Sequence, residues 1–437
     1  MKMRITLSLF ALLLFSSCSN SNPISGYWVG SMEMNGKTVD ILLELNSDKA
    51  TFTSNDLMLF EEPIAELKFK SNTISFSIDI ETVFRFEGVV ENGKIIGSVK
   101  IQDGPPDMKI NFSLVKKSEK LPPKAYSIEK LSVKSKGVNL SAEIYKPTTN
   151  RLHPALVLLH GSTMSLKKQY SFYANFFANI GFEVLIFDKR GNGESTGNYS
   201  TASYEDLADD AISCLMVLKN SKTVDTTKIG LWGFSQGAML LPYIMTKTNI
   251  PSFLIAKSPE VYSVSEAGAF SDSLRIVNRG NSPTEGHIVA ESHRQVEKMI
   301  RNGNDYKEVE TYINQNAVKY IFMNQTGLYG NISINKSEFD GYFWKGREKD
   351  FYPYWKNLDI KTLVLFGEDD EYINASRNEN TLLGLKNTKI IIKKFPRANH
   401  AMKKTFNPAK YPDFDWPRIT DGYLEYIEKW IKDEINK

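Results

Sequence analysis

Between residues 24 and 117 apolar and polar positions alternate in short runs. In Ile74-Ser-Phe76-Ser-Ile78-Asp-Ile80 every second residue is apolar, and the same holds at Met108, Ile110, Phe112 and Leu114. A period of two places the apolar side chains of each run on one face of a strand. Asn35-Gly36 and Asn92-Gly93 separate such runs, and Asn-Gly is a strong hairpin signal because both residues tolerate positive φ. The pattern predicts a small all-β domain over 24–117, with six to eight strands closed or nearly closed around an apolar interior. Residues 118–125, stiffened by Pro122-Pro123, read as a linker.

From residue 126 the rhythm changes to strands alternating with helices. Strands are expected near 127–134 and 138–146, joined through Lys136-Gly137, then at Ala155–Leu159, Glu183–Phe187, Lys228–Trp232, Ser252–Ala256, Thr362–Phe366 and Lys389–Lys393. Helices are expected near 168–180, 203–219, Ala238–Thr246 and 419–436. The strand runs are apolar throughout, as in a parallel sheet buried on both faces. The class is therefore α/β, a mostly parallel sheet with helices on both sides. Residues 259–357 interrupt this order and are too long for a loop. They read as a cap, with helices near 288–302 and 306–322, inserted over the carboxyl edge of the sheet, where open α/β folds bind ligands.

Composition narrows the function classes. Apolar residues make up 41% and charged residues 24%, an ordinary globular balance. The net charge is +3 with no basic block, so nucleic acid is not an expected partner. No phosphate loop, dinucleotide fingerprint or metal-ligand spacing is visible, and no cofactor or metal is expected. His287 and His293 are six apart, on different faces of a helix. Cys214, on the apolar side of a predicted helix, reads as a buried small hydrophobe. At the start, Lys2 and Arg4 precede an apolar run, Ile5 to Phe15, that is too short to span a bilayer but suits a signal peptide. Leu14-Phe15-Ser16-Ser17-Cys18 resembles a bacterial lipoprotein signal. The resemblance implies removal of residues 1–17, a lipid on the Cys18 thiol, a tether over 18–23, and an exported, membrane-anchored protein of the cell envelope. A plain signal peptide with an incidental cysteine is the competing reading.

The chemistry centres on Gly233-Phe234-Ser235-Gln236-Gly237, which follows a predicted buried strand and opens a predicted helix. That context is a nucleophile elbow, a strained turn that pushes the serine hydroxyl out towards substrate. The Gln236 backbone N–H then faces the developing oxyanion. A serine needs a base to take its proton. Of five histidines, His400 lies in a loop after the last predicted strand, where chain order in this fold puts the base. His153, at the start of a strand, is expected to be exposed, and His160 to be a structural hydrogen-bonder. Gly367-Glu368-Asp369-Asp370-Glu371 supplies carboxylates at a strand end, where one can orient the imidazole. Spacing alone leaves Asp369 and Asp370 open. The second oxyanion donor is expected from the backbone N–H of Ser162, with Thr163 as runner-up. Aromatic residues of the cap (Tyr342, Phe343, Trp344, Phe351, Tyr352, Tyr354, Trp355) fit either an acyl pocket or the cap's own core.

These motifs together carry a resemblance. LVLLHGS at 156–162, FDKRGNGESTG at 187–197, KIGLWGFSQG at 228–237, TLVLFGEDDEYI at 362–373 and FPRANHAM at 395–402 resemble secreted bacterial serine hydrolases of the α/β-hydrolase superfamily, close to dienelactone-hydrolase-like and acyl-thioesterase-like members. The resemblance covers residues 126–437 and implies the α/β-hydrolase fold with a Ser235-His400-Asp370 triad, since the acid is usually the third residue after the strand-end glycine. It implies a structural role for Asp188, Arg190 and Gly191. The segment Gly26-Tyr27-Trp28-Val29-Gly30 makes the β domain similar to lipocalin-like domains on some such hydrolases. One departure is the oxyanion segment Gly161-Ser162-Thr163, which lacks the longer glycine run of many esterases. The expected activity is hydrolysis of a small-molecule carboxylic ester through an acyl-enzyme. A peptidase, thioesterase or acyltransferase on the same triad is the alternative among enzymes. A non-catalytic surface binding lipoprotein is the alternative outside them.

Overall fold

The computed structural model describes residues 23–46, 49–80, 82–102, 108–118, 123–163, 165–320, 322, 346, 349–404, 410–411, 416 and 418–435. Cys18, the signal segment, Tyr342, Phe343 and Trp344 lie outside the described residues. The chain forms two compact units, one made mainly of residues up to 121 and the other mainly of residues from 122 onward.

The first unit is a nine-stranded antiparallel sheet. Its strands are β1 (Gly26–Met34), β2 (Lys37–Leu45), β3 (Ala50–Ser54), β4 (Leu59–Pro63), β5 (Ala65–Lys70), β6 (Thr73–Ile80), β7 (Thr82–Glu91), β8 (Lys94–Ile101) and β9 (Ile110–Lys117). Their order is β4-β3-β2-β1-β9-β8-β7-β6-β5, a nearly closed barrel-like sheet whose two end strands are consecutive in the chain. Both residues of each Asn-Gly turn have positive φ: 51° and 73° at Asn35-Gly36, 49° and 72° at Asn92-Gly93. That is the type I′ geometry that matches the twist of the flanking strands. The alternating residues point inward: Ile74, Phe76 and Ile78 of β6, and Ile110, Phe112 and Leu114 of β9, are buried. Phe86 sits among Phe76, Phe112 and Phe52 at ring distances of 4.5, 5.3 and 5.8 Å. The strand count exceeds the expected six to eight. β4 and β5 are short, and β5 is exposed almost throughout, so neither carries the alternation that marks a half-buried strand.

The second unit holds an eight-stranded sheet. Its strands are β10 (Tyr126–Ser135), β11 (Val138–Pro147), β12 (His153–Leu159), β13 (Glu183–Phe187), β14 (Val224–Phe234), β15 (Phe253–Lys257), β16 (Lys361–Gly367) and β17 (Ile390–Phe395). The order is β10-β11-β13-β12-β14-β15-β16-β17. β10 pairs antiparallel with β11, and β11 with β13; the remaining pairs are parallel. The helices are α1 (Ser171–Asn179), α2 (Tyr204–Lys219), α3 (Gln236–Ile244), α4 (Val264–Asn278), α5 (Pro283–Arg301), α6 (Tyr306–Lys319), α7 (Tyr352–Lys356), α8 (Ala375–Gly384) and α9 (Tyr423–Glu434).

Alternate residues of each central strand feed opposite cores. Ala155, Val157, Leu231, Leu254 and Val364 pack with α2, α3 and α8 on one side. Leu156, Leu158, Trp232, Ile255 and Leu363 pack with α1 and α9 on the other. Cys214 is fully buried in the first of these cores.

α4, α5 and α6 fall in the predicted insertion, and two of them differ from expectation. α4 was not anticipated, and α5 starts at Pro283 rather than near 288. Ser282 caps it in a reciprocal box with Glu285, and Pro283 takes the first turn, where its missing N–H costs nothing. Phe351 and Trp355 are fully buried and join the sheet's own core, with Phe351 meeting Tyr204 at 5.2 Å and Tyr243 at 6.3 Å. α8 was also missed, since its sequence, ASRNENTLLG, carries little apolar periodicity. His153 is not exposed as expected but fully buried. Its Nδ1 lies 3.0 Å from the Gly181 carbonyl and its Nε2 3.1 Å from that of Thr149, so both ring nitrogens exchange solvent for backbone partners. Among the described residues no helix is long and apolar enough to cross a membrane.

Candidate active site

The candidate residues leave the sheet at the carboxyl ends of its parallel strands. Leu159, Gly233 and Ala256 are in register across β12, β14 and β15, and Gly367 is in register with Phe395 across β16 and β17. The loops after these strands therefore open on one edge of the sheet.

Ser235 joins β14 to α3 with φ 52° and ψ −116°. A positive φ on a residue with a Cβ costs about 1–3 kcal/mol and persists only where the surroundings enforce it. Here the Ser235 N–H donates to the Lys257 carbonyl at 2.9 Å, and its carbonyl accepts from the Met239 N–H at 2.9 Å. The flanking glycines allow the tight crossing. A Cβ on Gly233 would come within 2.5 Å of the Gly237 backbone, and one on Gly237 within 2.7 Å of the Leu159 and His160 carbonyls. Ser235 Oγ makes no hydrogen bond among the described residues, and the side chain is half-buried.

Asp370 and His400 are brought together. Asp370 Oδ2 lies 2.7 Å from His400 Nδ1, and Asp370 Oδ1 accepts from the Tyr372 and Ile373 N–H groups, each at 2.9 Å. The carboxylate is thus fixed in rotation and fully buried at the side chain. Asp369 turns elsewhere, to Lys410 and, at 2.7 Å, to the Tyr411 hydroxyl. Two further groups hold the His400 backbone. Its N–H donates to Glu371 Oε2 at 3.2 Å, and its carbonyl accepts from Ser258 Oγ at 2.9 Å. The imidazole packs between Phe234, next to Ser235, and Tyr372, at 5.0 and 5.1 Å. Nε2 makes no hydrogen bond among the described residues. No hydrogen bond joins it to Ser235 Oγ in this structure, as is common before substrate binds.

The segment 161–163 passes over the elbow: a methyl group on Gly161 would lie 3.7 Å from Ser235 Cβ. The Gly161 N–H is used, donating to the buried Tyr170 hydroxyl at 3.0 Å. The N–H groups of Ser162, Thr163 and Gln236 take part in no hydrogen bond among the described residues. His160 stays out of the chemistry. Burial pushes its imidazole down to about 3, and its Nε2 bonds the Phe187 carbonyl at 2.6 Å. Arg190 and Asp188 are structural too. Arg190 grips buried Asp210 through Nε and Nη2 at 2.7 and 2.8 Å, and Asp188 holds the Lys167 N–H at 2.8 Å and the Glu194 N–H at 3.2 Å.

A cavity of about 280 Å³ opens beside the acid loop. Leu274, Arg275 and Asn278 of α4 and Arg279 just after it line it, together with Glu371 and Tyr372. Two of the groups that touch His400 therefore also face this space.

The family profile described as serine aminopeptidase, S33, matches residues 150–311, which carry the elbow and the oxyanion segment. The second unit has the α/β-hydrolase fold. The chain is 25% identical over 202 residues to an uncharacterized 31.7 kDa protein of the traX-finO intergenic region of Escherichia coli, covering 46% of this chain and 66% of that one. It is 33% identical over 114 residues to the thiohydrolase aneE of Aspergillus aculeatus, covering 26% of this chain and 35% of that one. A solved esterase from Pyrococcus furiosus superposes with a TM-score of 0.46 at 17% identity, covering 71% of this chain and 92% of that one. The chain thus spans just under two thirds of the length of the bacterial relative and about a third of that of the fungal one.

At the root of the cap, Glu260 is a buried carboxyl that no motif or spacing marks. It accepts from Asn378 Nδ2 at 3.1 Å and from the Tyr262 N–H at 3.2 Å. Burial outweighs both bonds and raises it from 4.5 to about 7. Below pH 4.5 the group is protonated in folded and unfolded chains alike and contributes nothing. Between 4.5 and 7 the unfolded chain gives up the proton first, so stability falls as pH rises. The full loss, on the order of 3 kcal/mol, is present above pH 7. Urea melts from pH 4.5 to 8 should show that loss in the wild type relative to Glu260→Gln. Parallel curves for the two proteins would show that Glu260 does not titrate in this range.

Proposed function

We infer that the protein is a serine hydrolase that cleaves carboxylic esters of small molecules through an acyl-enzyme. The observation that carries this reading is the strained Ser235 elbow at the same sheet edge as a buried carboxylate 2.7 Å from an imidazole whose other nitrogen has no partner among the described residues. In the proposed cycle Ser235 Oγ attacks the substrate carbonyl as His400 Nε2 takes its proton. Asp370 keeps the proton on Nδ1 and stabilises the imidazolium. The oxyanion is met by the Gln236 N–H and the Ser162 N–H, which have no other partner among the described residues. His400 then protonates the departing alcohol, which leaves the acyl group on Ser235. A water molecule, deprotonated by His400, attacks the acyl-enzyme, and collapse of the second tetrahedral intermediate returns the proton to Ser235. The cavity beside Tyr372 gives room for part of the substrate next to the reacting groups.

Thioester and aminoacyl amide bonds are the second reading, favoured by the fungal thiohydrolase match and the aminopeptidase profile. Labelling with a fluorophosphonate, followed by mass mapping of the adduct, tests the nucleophile. The adduct is expected on Ser235. A panel of p-nitrophenyl esters, acyl thioesters and aminoacyl anilides then ranks the bond types, with the esters expected to turn over fastest. A folded protein that takes no label would refute the serine-hydrolase reading.

A further inference from the structure

The most unusual group near the elbow is a lysine with no acid to answer it. Lys189 is buried, with 3% of its surface exposed. Among the described residues no carboxylate pairs with it, and burial pulls it well below the ordinary lysine range. A buried lysine with no anion is expensive and persists where its donors are needed.

Its Nζ lies within hydrogen-bond reach of three acceptors. Lys189 Nζ reaches the Gly161 carbonyl at 2.5 Å, the Thr163 carbonyl at 3.3 Å and Gln236 Oε1 at 2.9 Å. The Tyr199 ring lies 3.9 Å away as a cation–π floor. Tyr199 adds its hydroxyl to the same set, donating to the Ser162 carbonyl, with Gln236 Oε1 also 3.3 Å from the hydroxyl oxygen. Two of the three carbonyls in the oxyanion segment are therefore held by Lys189 Nζ, which also holds the side chain of the residue after the nucleophile.

Peptide geometry gives this arrangement a consequence. In a trans peptide the N–H points opposite to the C=O of the same plane. Drawing the Gly161 carbonyl to Lys189 turns the Ser162 N–H away from it, and the Tyr199 hydroxyl on the Ser162 carbonyl does the same for the Thr163 N–H. Fixing the Gln236 side chain anchors the first residue of α3, whose N–H is the other oxyanion donor. We propose that Lys189 is a positioning residue that locks the two separate strand-end loops supplying the oxyanion N–H groups into one rigid unit. This rests on the serine-hydrolase reading above. It touches no reacting atom and acts only through Gly161, Thr163 and Gln236.

The test compares wild type, Lys189→Met and Gln236→Leu, which cuts the same link from its two ends, and the double variant. Rates are normalised to the sites labelled by fluorophosphonate, so misfolded protein does not count. The kcat of Lys189→Met should fall on the order of 10²-fold, as for loss of one well-placed oxyanion donor, with KM changed less than about threefold. Affinity for phenylboronic acid, which forms a tetrahedral adduct on the serine, should fall in parallel. The double variant should be no worse than Lys189→Met, because both changes break one link. If kcat per labelled site stays within about threefold of wild type in both single variants, the proposal is overturned and Lys189 only fills the fold. Should Lys189→Met fail to fold, Gln236→Leu alone decides by the same criterion. A wild type that takes no label refutes the serine-hydrolase reading instead, and this inference falls with it.

Discussion

Replacing Ser235 with alanine is expected to lower ester turnover on the order of 10⁶-fold, to the level left by the oxyanion donors and binding alone. The backbone is held by the Lys257 carbonyl, the Met239 N–H and the two crossing glycines, none of which involves the hydroxyl, so the variant should fold as the wild type does. The strain belongs to the backbone, and alanine keeps it. Glycine adopts φ near 52° without that penalty. Ser235→Gly should therefore be equally inactive yet more stable, by about 1 kcal/mol in urea melts. Inactivation with increased stability is the mark of a residue kept for chemistry at a structural cost. An alanine variant that keeps more than about 1% of turnover would mean that another group carries the reaction.

How much of this was readable beforehand differs from element to element. The all-apolar runs at Ala155–Leu159 and Glu183–Phe187 marked strands buried on both faces, because a parallel sheet under helices leaves no polar face to break the run. The Asn-Gly hairpins were readable because only such residues accept two successive positive φ values. β5 was not, since its side chains are mostly exposed and its place is set by pairing with β6. The elbow serine, the strand-end acids and the loop histidine were legible as positions on one sheet edge. Which acid meets the ring was not legible from spacing and came only from the family resemblance, because Asp369 and Asp370 differ by one residue and diverge only through the turn that ties Asp370 Oδ1 to Tyr372 and Ile373. Lys189, Ser258 and Glu371 were invisible for another reason. Each acts on a backbone atom distant in sequence, and no periodicity or spacing records such a contact. A charged residue at the end of an apolar strand, as in Phe187-Asp188-Lys189, is the one signal that would have drawn attention to the lysine.

The acid assignment has its own decisive experiment. In Asp370→Asn the carboxamide oxygen should take the Oδ1 position, because two backbone N–H groups demand an acceptor there. The amide NH₂ then faces His400 Nδ1. A donor facing Nδ1 forces that nitrogen to accept, and the imidazole proton moves to Nε2. With Nε2 already protonated, the Ser235 proton has no base to go to. The expected loss in kcat is on the order of 10⁴-fold, as for the same change in other triads, with the ring still in place and KM little changed. Asp369→Asn gives the contrast. Its carboxylate is turned to Lys410 and the Tyr411 hydroxyl rather than to the His400 ring. Its kcat should stay within about threefold of wild type. Steady-state kinetics on both variants, with thermal melts to confirm folding, read the difference directly. The reverse ranking, with Asp369→Asn inactive and Asp370→Asn near normal, would mean that the loop rearranges with substrate bound and that the 2.7 Å contact to His400 is not the one used in turnover.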